Sequence, residues 1–383
     1  MQMEKKYDQI SNDLALEILA KLPVKSLKRF SCVQKSWLNL LENSNFKSMY
    51  YENLKSKTAY SSSLLLWRNF YDQRGDGNNV YKKDVYLLSG EKYENIVRLV
   101  LPSLVEEYDV PGMVIECVNG IICYSETYGR KGKKLKIGLW NPKTDERKII
   151  PPSIIIDEPG FDLEVSVHGF GYDNMNDDYK VIQCVYYIDY EFYLDGPSPI
   201  WQIYSLKNNC WKKLELEMNH NEFLEQGSVK YLNGVCHWCC EEYGEEVIVS
   251  FNLSTETFQT TSIVLVQRND APPIRVLVVL NESLALISSL AENSCIEISI
   301  LGEIGVKESW VKLFTVRHFL EIDFPFGMGN KCDVIYFIEN YNDELASFDV
   351  ITGKIIHNIG IKAEWFGAWI YKENLLSFTT RIN

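Results

Sequence analysis

The chain has 383 residues, 46% hydrophobic and 24% charged, the composition of a globular protein with room for two or three domains. Its net charge of −13 is uneven: the first 55 residues carry nine Lys and Arg against six Asp and Glu, a net +3, which leaves −16 for the remainder. An acidic body argues against nucleic acid and anionic membrane as partners, no apolar run reaches the roughly 18–20 residues of a membrane span, and the N-terminal MQMEKKYDQI lacks a signal core, so a cytoplasmic or nuclear protein is expected.

The first organised stretch runs from Ile10 to Leu41. Ser11, Asn12 and Asp13 suit a helix start, because their side-chain oxygens accept otherwise unpaired backbone N–H groups. Leu14, Ile18, Leu19 and Leu22 then recur at helical spacing, and Pro23 ends the helix. A second short helix is predicted around Lys25 to Ser31 with Leu27 and Phe30 on one side, and a third from Gln34 to Glu42 carrying Trp37, Leu38 and Leu41. So short a segment cannot enclose these groups by itself, so part of its apolar surface must face a partner or the following domain.

Phe46 to Lys57 reads as a helical link, with Phe46, Met49, Tyr50 and Leu54 at helical spacing and little Gly, Ser or Pro. From about Ser61 onward, short runs rich in Val, Ile, Tyr, Phe and Trp alternate with Gly, Asn, Asp and Pro clusters, the pattern of an all-β body. This body repeats itself weakly. Asn119-Gly120-Ile121-Ile122-Cys123 precedes Gly138-Leu139-Trp140-Asn141-Pro142-Lys143-Thr144, and Asn233-Gly234-Val235-Cys236 precedes Ser250-Phe251-Asn252-Leu253-Ser254-Thr255. Comparable units begin at Val181, Asn281 and Asp333, giving a period of about 50 residues, which is that of propeller blades. With a first blade from Ser62 to Pro102 the count is about six, and Trp369 to Thr379 pairing near Ser62 to Trp67 would close the ring.

Two resemblances emerge from these residues. Leu14, Glu17-Ile18-Leu19, Leu22-Pro23-Val24-Lys25-Ser26-Leu27, Arg29-Phe30, Cys32-Val33 and Lys35-Ser36-Trp37 resemble, in order and without gaps, an F-box of the large plant families. The family's usual opening Leu-Pro is replaced by Ile10-Ser11, Gln34 stands where Cys or Ser is common, and Leu38 stands where a polar residue is common. Gly138 to Thr144, Ile150-Pro151-Pro152, Gly169-Phe170-Gly171-Tyr172-Asp173, Asp178-Tyr179-Lys180-Val181-Ile182, Tyr204-Ser205-Leu206 and Trp211-Lys212 resemble the type 1 F-box-associated domain, which is related to kelch repeats. The resemblances imply a mainly β chain: a three-helix F-box over 1–45, a helical link over 46–60, and a kelch-like β-propeller over 61–383. They imply docking on a Skp-family adaptor, and through it a cullin, by Ile10, Leu14, Leu22, Pro23, Leu27, Val33 and Trp37, while the body selects a target protein for ubiquitination. Such a protein is a non-catalytic ligase subunit without a cofactor. The alternatives are a Skp-binding scaffold outside any ligase, or a ligand-binding or enzymatic propeller.

Other motifs point less far. Cys236-His237-Trp238-Cys239-Cys240 holds the ligand types of a zinc site, but on a strand its side chains alternate faces, so buried core cysteines are expected. Asp173 to Asp178 has a calcium-loop flavour, yet Met175 sits at a ligand position and Cys184 where a closing acid belongs, so a hairpin turn is expected. Arg130, Lys131, Lys133, Lys134 and Lys136 form a basic stretch expected in an exposed loop.

Overall fold

The computed structural model describes residues 11–22, 26, 46, 49, 63–73, 79–90, 93–105, 110–128, 134–154, 160–188, 197–215, 222–223, 229–242, 245–263, 274–280, 282–290, 295–317, 322–328, 334–338, 344–349, 354–362 and 365–373. Helix α1 (Asn12–Leu19) precedes a long run of strands. The second and third helices expected in the head lie outside the described residues. Of the link, Phe46 and Met49 are described, both helical, with Phe46 buried.

Sheet one begins with β1 (Ser63–Gln73), β2 (Asn79–Ser89) and β3 (Asn95–Leu99). Sheet two is β4 (Val110–Val118), β5 (Ile121–Tyr128), β6 (Lys134–Asn141) and β7 (Glu146–Ile149). Sheet three is β8 (Asp162–Asp173), β9 (Asp178–Ile188), β10 (Ile200–Ser205) and β11 (Cys210–Lys213). In sheet four, β12 (Glu222–Phe223) and β13 (Lys230–Leu232) both pair with β14 (Val235–Glu242), followed by β15 (Glu245–Asn252) and β16 (Thr257–Ser262). Sheet five is β17 (Ile274–Leu280), β18 (Ser283–Leu290), β19 (Cys295–Leu301) and β20 (Trp310–Arg317). Sheet six is β21 (Ile322–Met328), β22 (Val334–Ile338), β23 (Glu344–Asp349) and β24 (Lys354–Lys362). The last strand, β25 (Trp365–Tyr371), returns to the start and pairs antiparallel with β1, with Ser63 opposite Tyr371, Leu65 opposite Trp369 and Trp67 opposite Gly367. The ring closes on the edge of β1 expected from the sequence, but the closing strand is Trp365–Tyr371, which shares only Trp369 to Tyr371 with the expected Trp369 to Thr379.

The inner strands meet in order: β4 touches β8, β8 touches β13 and β14, β13 touches β17, β17 touches β21, β21 touches β25, and β25 touches β4. Sheets arranged in this way around one axis make a β-propeller.

The central strands are buried on both faces, which is why they read as near-continuous apolar runs. Alternate residues serve different cores. Leu65 and Trp67 pack with Ile122 and Tyr124 between sheets one and two. Ile121 and Cys123 turn the other way, towards Phe170 and Val181 of sheet three. Ile182 and Trp201 pack against Trp238 and Phe251 of sheet four. Leu64 and Leu66 meet Leu345, Ile359 and Phe366, so the same packing joins sheet six to sheet one.

The Asn-Gly pairs noted in the sequence are the turns between inner and second strands. Asn119 and Gly120 have φ of 50° and 73°, and Asn233 and Gly234 have 48° and 85°, the left-handed pair that a two-residue hairpin requires. Later turns use the Asn or Asp side chain: Asn252 Oδ1 accepts from Ser254 N at 2.9 Å and Thr255 N at 3.0 Å, and Asn141 Oδ1 accepts from Lys143 N at 3.0 Å. Gly169 has a separate reason, since a Cβ there would lie 2.8 Å from Cys236 Sγ where sheets three and four approach.

A buried ion pair within sheet three also reaches across to sheet four. Lys180 Nζ reaches Asp173 Oδ2 at 2.9 Å and donates to the Leu253 carbonyl at 2.8 Å, with both charged side chains enclosed. Burial works against the Asp173 charge, but hydrogen bonds from Asn176, Ser254 and Lys180 outweigh it and hold the carboxyl well below the usual carboxylate range. Lys180→Met keeps the packing and leaves that carboxylate buried without its cation. It is expected to destabilise the body by about 3–5 kcal/mol, measured by denaturant unfolding. Because the Asp173 pKa is depressed on folding, its contribution is present above the unfolded value of 3.8 and is lost as the pH falls below it. The gap between wild type and variant should therefore narrow in acid.

Candidate docking site

Helix α1 is capped as its sequence indicates: the Ser11 side chain accepts from Leu14 N at 3.4 Å, and the Ser11 carbonyl accepts from Ala15 N at 2.9 Å. The apolar residues expected on one face divide between two. Leu14 is 49% exposed and Ile18 46%, whereas Leu16, Leu19 and Ala20 are buried and Leu22 is half-buried. Helical geometry accounts for the split. At about 100° per residue, Leu14 and Ile18 lie roughly 40° apart, while Leu19 is roughly 140° from Leu14. The outward surface of α1 thus carries an apolar pair four residues apart beside the exposed Glu17, while Leu16 and Leu19 are enclosed. Of the residues expected to dock, Leu14 is on this outward surface and Leu22 lies just past the helix end. Ile10, Pro23, Leu27, Val33 and Trp37 lie outside the described residues.

The candidate metal motifs resolve into packing and turns. Cys236, Trp238 and Cys240 point into the core between sheets three and four, and Cys239 into the core between sheets four and five. His237 is fully enclosed, with Nδ1 2.8 Å from Ser250 Oγ, and burial pushes its pKa down to about 3, so the ring is neutral at physiological pH. Burial likewise pushes the Cys239 thiol up to about 12. Among the described residues, no group of three or more His, Cys, Asp or Glu could hold a metal ion. Asp173 to Asp178 is the turn between β8 and β9, where Asp173 Oδ1 accepts from Met175 N at 3.0 Å and from Asn176 N at 3.2 Å. Met175 projects outward at 84% exposure. In the basic stretch, Lys136 Nζ donates to the Leu104 carbonyl at 3.2 Å and lies 5.2 Å from the Tyr128 ring centroid. Arg130, Lys131 and Lys133 lie outside the described residues.

One group of buried polar side chains had no signature in the sequence. Glu116 on β4 accepts from Cys117 N at 2.8 Å and, across to β13, from Tyr231 N at 2.9 Å. Lys230, beside Tyr231, places Nζ 5.4 Å from the centroid of the Trp369 ring on β25. Burial pushes the Glu116 carboxyl up to about 7, against the pull of the Lys230 charge and the two backbone N–H groups. Its folded pKa therefore exceeds the unfolded value of 4.5. Between these values the folded protein holds a proton that the unfolded chain has lost, so stability falls as the pH rises through this window. Glu116→Gln, which cannot ionise, is expected to gain stability relative to wild type between about pH 5 and pH 8, read as the difference in Tm. A constant difference would show that Glu116 does not titrate there.

A ring of antiparallel sheets closed by its last strand, preceded by a capped helix with an outward apolar pair, defines a β-propeller protein with an N-terminal helical element. A family model described as the F-box associated beta propeller domain matches residues 75–368, and an F-box domain model matches residues 8–49. The chain belongs to the F-box associated beta propeller family and is an F-box protein of the plant type. Its relatives include three proteins of Arabidopsis thaliana. F-box protein At2g40925 is 24% identical over 80% of this chain and 73% of its own length, and F-box protein CPR1 is 25% identical over the same shares. F-box/kelch-repeat protein At3g23880 is 25% identical over 63% of this chain and 62% of its own length. The chain spans less than two thirds of several curated relatives, down to 44% of one.

Proposed function

We propose that the protein is the substrate-recognition adaptor of a Skp-cullin-F-box ubiquitin ligase. Its head docks on a Skp-family adaptor, and through it on a cullin, while the propeller holds a target protein for ubiquitination and proteasomal degradation. The observation that carries this reading is the exposed Leu14 and Ile18 pair on a helix whose Leu16 and Leu19 are buried, inside the segment matched by the F-box model. We take the head as a three-helix F-box over 1–45 with Ile10, Leu14, Leu22, Pro23, Leu27, Val33 and Trp37 as its docking set. A link over 46–60 leads to a body over 61–383 in which each of the six sheets counts as one blade. The protein works in the cytoplasm or nucleus and does no chemistry of its own. It contributes by position, raising the effective concentration of the target beside the ubiquitin-carrying enzyme.

The test is ubiquitin transfer in a reconstituted assay with the Skp-family adaptor, cullin and a protein captured by the body. Transfer that depends on this chain supports the reading. A captured protein held in the complete assembly yet never modified would make the chain a scaffold.

A further inference from the structure

The outer edge of sheet one differs from those of its neighbours. β3 is the outermost strand and, among the described residues, pairs only with β2. Ile96 is 44% exposed, Val97 55%, and Val100, just past the strand, 82%. Successive residues of a strand point to opposite faces, so Ile96 and Val97 leave apolar surface open on both. Outer strands elsewhere carry charged or polar side chains, which discourage pairing with another chain. β7 has Arg147 and Lys148, β11 has Lys212 and Lys213, and β16 has Thr257, Gln259 and Thr260. The one charged residue of β3 is Arg98, and it is only partly balanced. Asp84 Oδ1 lies 2.5 Å from Arg98 and Oδ2 lies 2.8 Å from Arg68, so one enclosed carboxylate serves two guanidinium groups. Tyr86 also donates to Oδ2, at 2.8 Å. Within this group one positive charge is left over, and the Arg98 side chain is 66% exposed.

We propose that β3 pairs antiparallel with β3 of a second copy of this chain, about a two-fold axis through Ile96. A two-fold brings the same surface of both copies together, so an edge strand meets its copy antiparallel. Centring on Ile96 sets that residue opposite itself, Asn95 opposite the partner's Val97, and Glu94 opposite the partner's Arg98. Glu94 is exposed, and it supplies the carboxylate that Arg98 lacks, twice over by symmetry. Centring on Val97 would instead set Ile96 against the partner's Arg98 and Glu94 against the partner's Val100. Pairing uses the edge in both copies, so it closes at a dimer. The contact is short, so the dimer is weak and depends on concentration. It involves none of the head residues and does not depend on the adaptor reading.

The full chain is followed by sedimentation velocity over roughly 1–200 μM, where mass action shifts a weak dimer. The mass is expected to rise with concentration from 44.4 kDa towards twice that value. Ile96→Lys and Ile96→Glu each put like charges opposite one another on the axis, and each should weaken the dimer at least about tenfold. Both should melt as the wild type does, because Ile96 is already half exposed. Mixed in equal amounts, the two variants should pair again, since the position faces itself and the charges are then opposite. A dimer that survives Ile96→Lys, or a mixture of the two variants that stays monomeric, overturns the proposal. So does a wild type that is monomeric at every concentration, which would leave the edge to a strand of another protein. Should neither Ile96 variant fold, Glu94→Arg decides: it sets a guanidinium opposite the partner's Arg98 and should separate the copies.

Discussion

Replacing Leu14 and Ile18 together by Asp is expected to abolish capture of a Skp-family adaptor, weakening it by at least about 100-fold, while the melting of the β-body is unchanged. Both side chains are about half exposed in the free chain, so charging them costs the fold little. Covering a Leu or Ile side chain is worth roughly 1.5–3 kcal/mol, and each 1.4 kcal/mol is tenfold in affinity, so losing two such contacts and burying two charges exceeds 100-fold. Leu19→Ala is the contrasting control. Leu19 is 2% exposed, so its truncation should cost about 2–5 kcal/mol of head stability and disturb capture by unfolding α1 instead. Pull-down together with circular dichroism separates the two effects. Undiminished capture by the double Asp variant would mean that this helix face is not the docking surface.

A chain ending at Glu364 is expected to lose the cooperative fold of the body. Without β25, sheet one has lost its inner strand, and the backbone edge of β1 from Ser63 to Asn69 has no partner. Phe366, Ala368, Trp369 and Tyr371 leave two inter-sheet cores, one between sheets six and one and the other between sheets one and two. Three large side chains at roughly 1.5–3 kcal/mol each make a loss comparable with the whole stability of an ordinary domain, about 5–15 kcal/mol. The truncated protein should aggregate, or melt far below the full chain and be cut readily by protease. A milder form of the same test is Leu66→Ala, which empties a fully buried position opposite Ala368 and should cost about 2–5 kcal/mol. If truncation moves Tm by only a few degrees, the ring does not depend on its closure.

The parts of this structure that were legible in advance are those whose cause is local. Ser11 announces its helix because a hydroxyl beside unpaired N–H groups acts within one turn. Asp173 to Asp178 announces a hairpin turn because an Asp side chain accepting nearby backbone N–H groups acts within a few residues. The repeat of about 50 residues catches the two central strands of sheets two to six, since burial on both faces leaves an apolar run such as Ile121 to Cys123. It misses the outermost strands: β3 is exposed along nearly all its length and β7 alternates at intermediate exposure, so neither carries an apolar run. Alternation along β14 was enough to separate Cys239 from Cys236 and Cys240, because the period of a strand is fixed by its geometry.

By itself, then, the amino-acid order determined the mainly β body, many of its turns, its closing by a C-terminal segment and the two family resemblances. Tertiary structure alone decided which sides of α1 face outward and which face inward, because several apolar residues around a short helix leave more than one face eligible. It alone brought Glu116, Lys230 and Trp369 together. Residues more than a hundred positions apart leave no mark on each other's neighbourhoods in the chain. Their meeting is set by the curvature of the ring, and no local propensity encodes it.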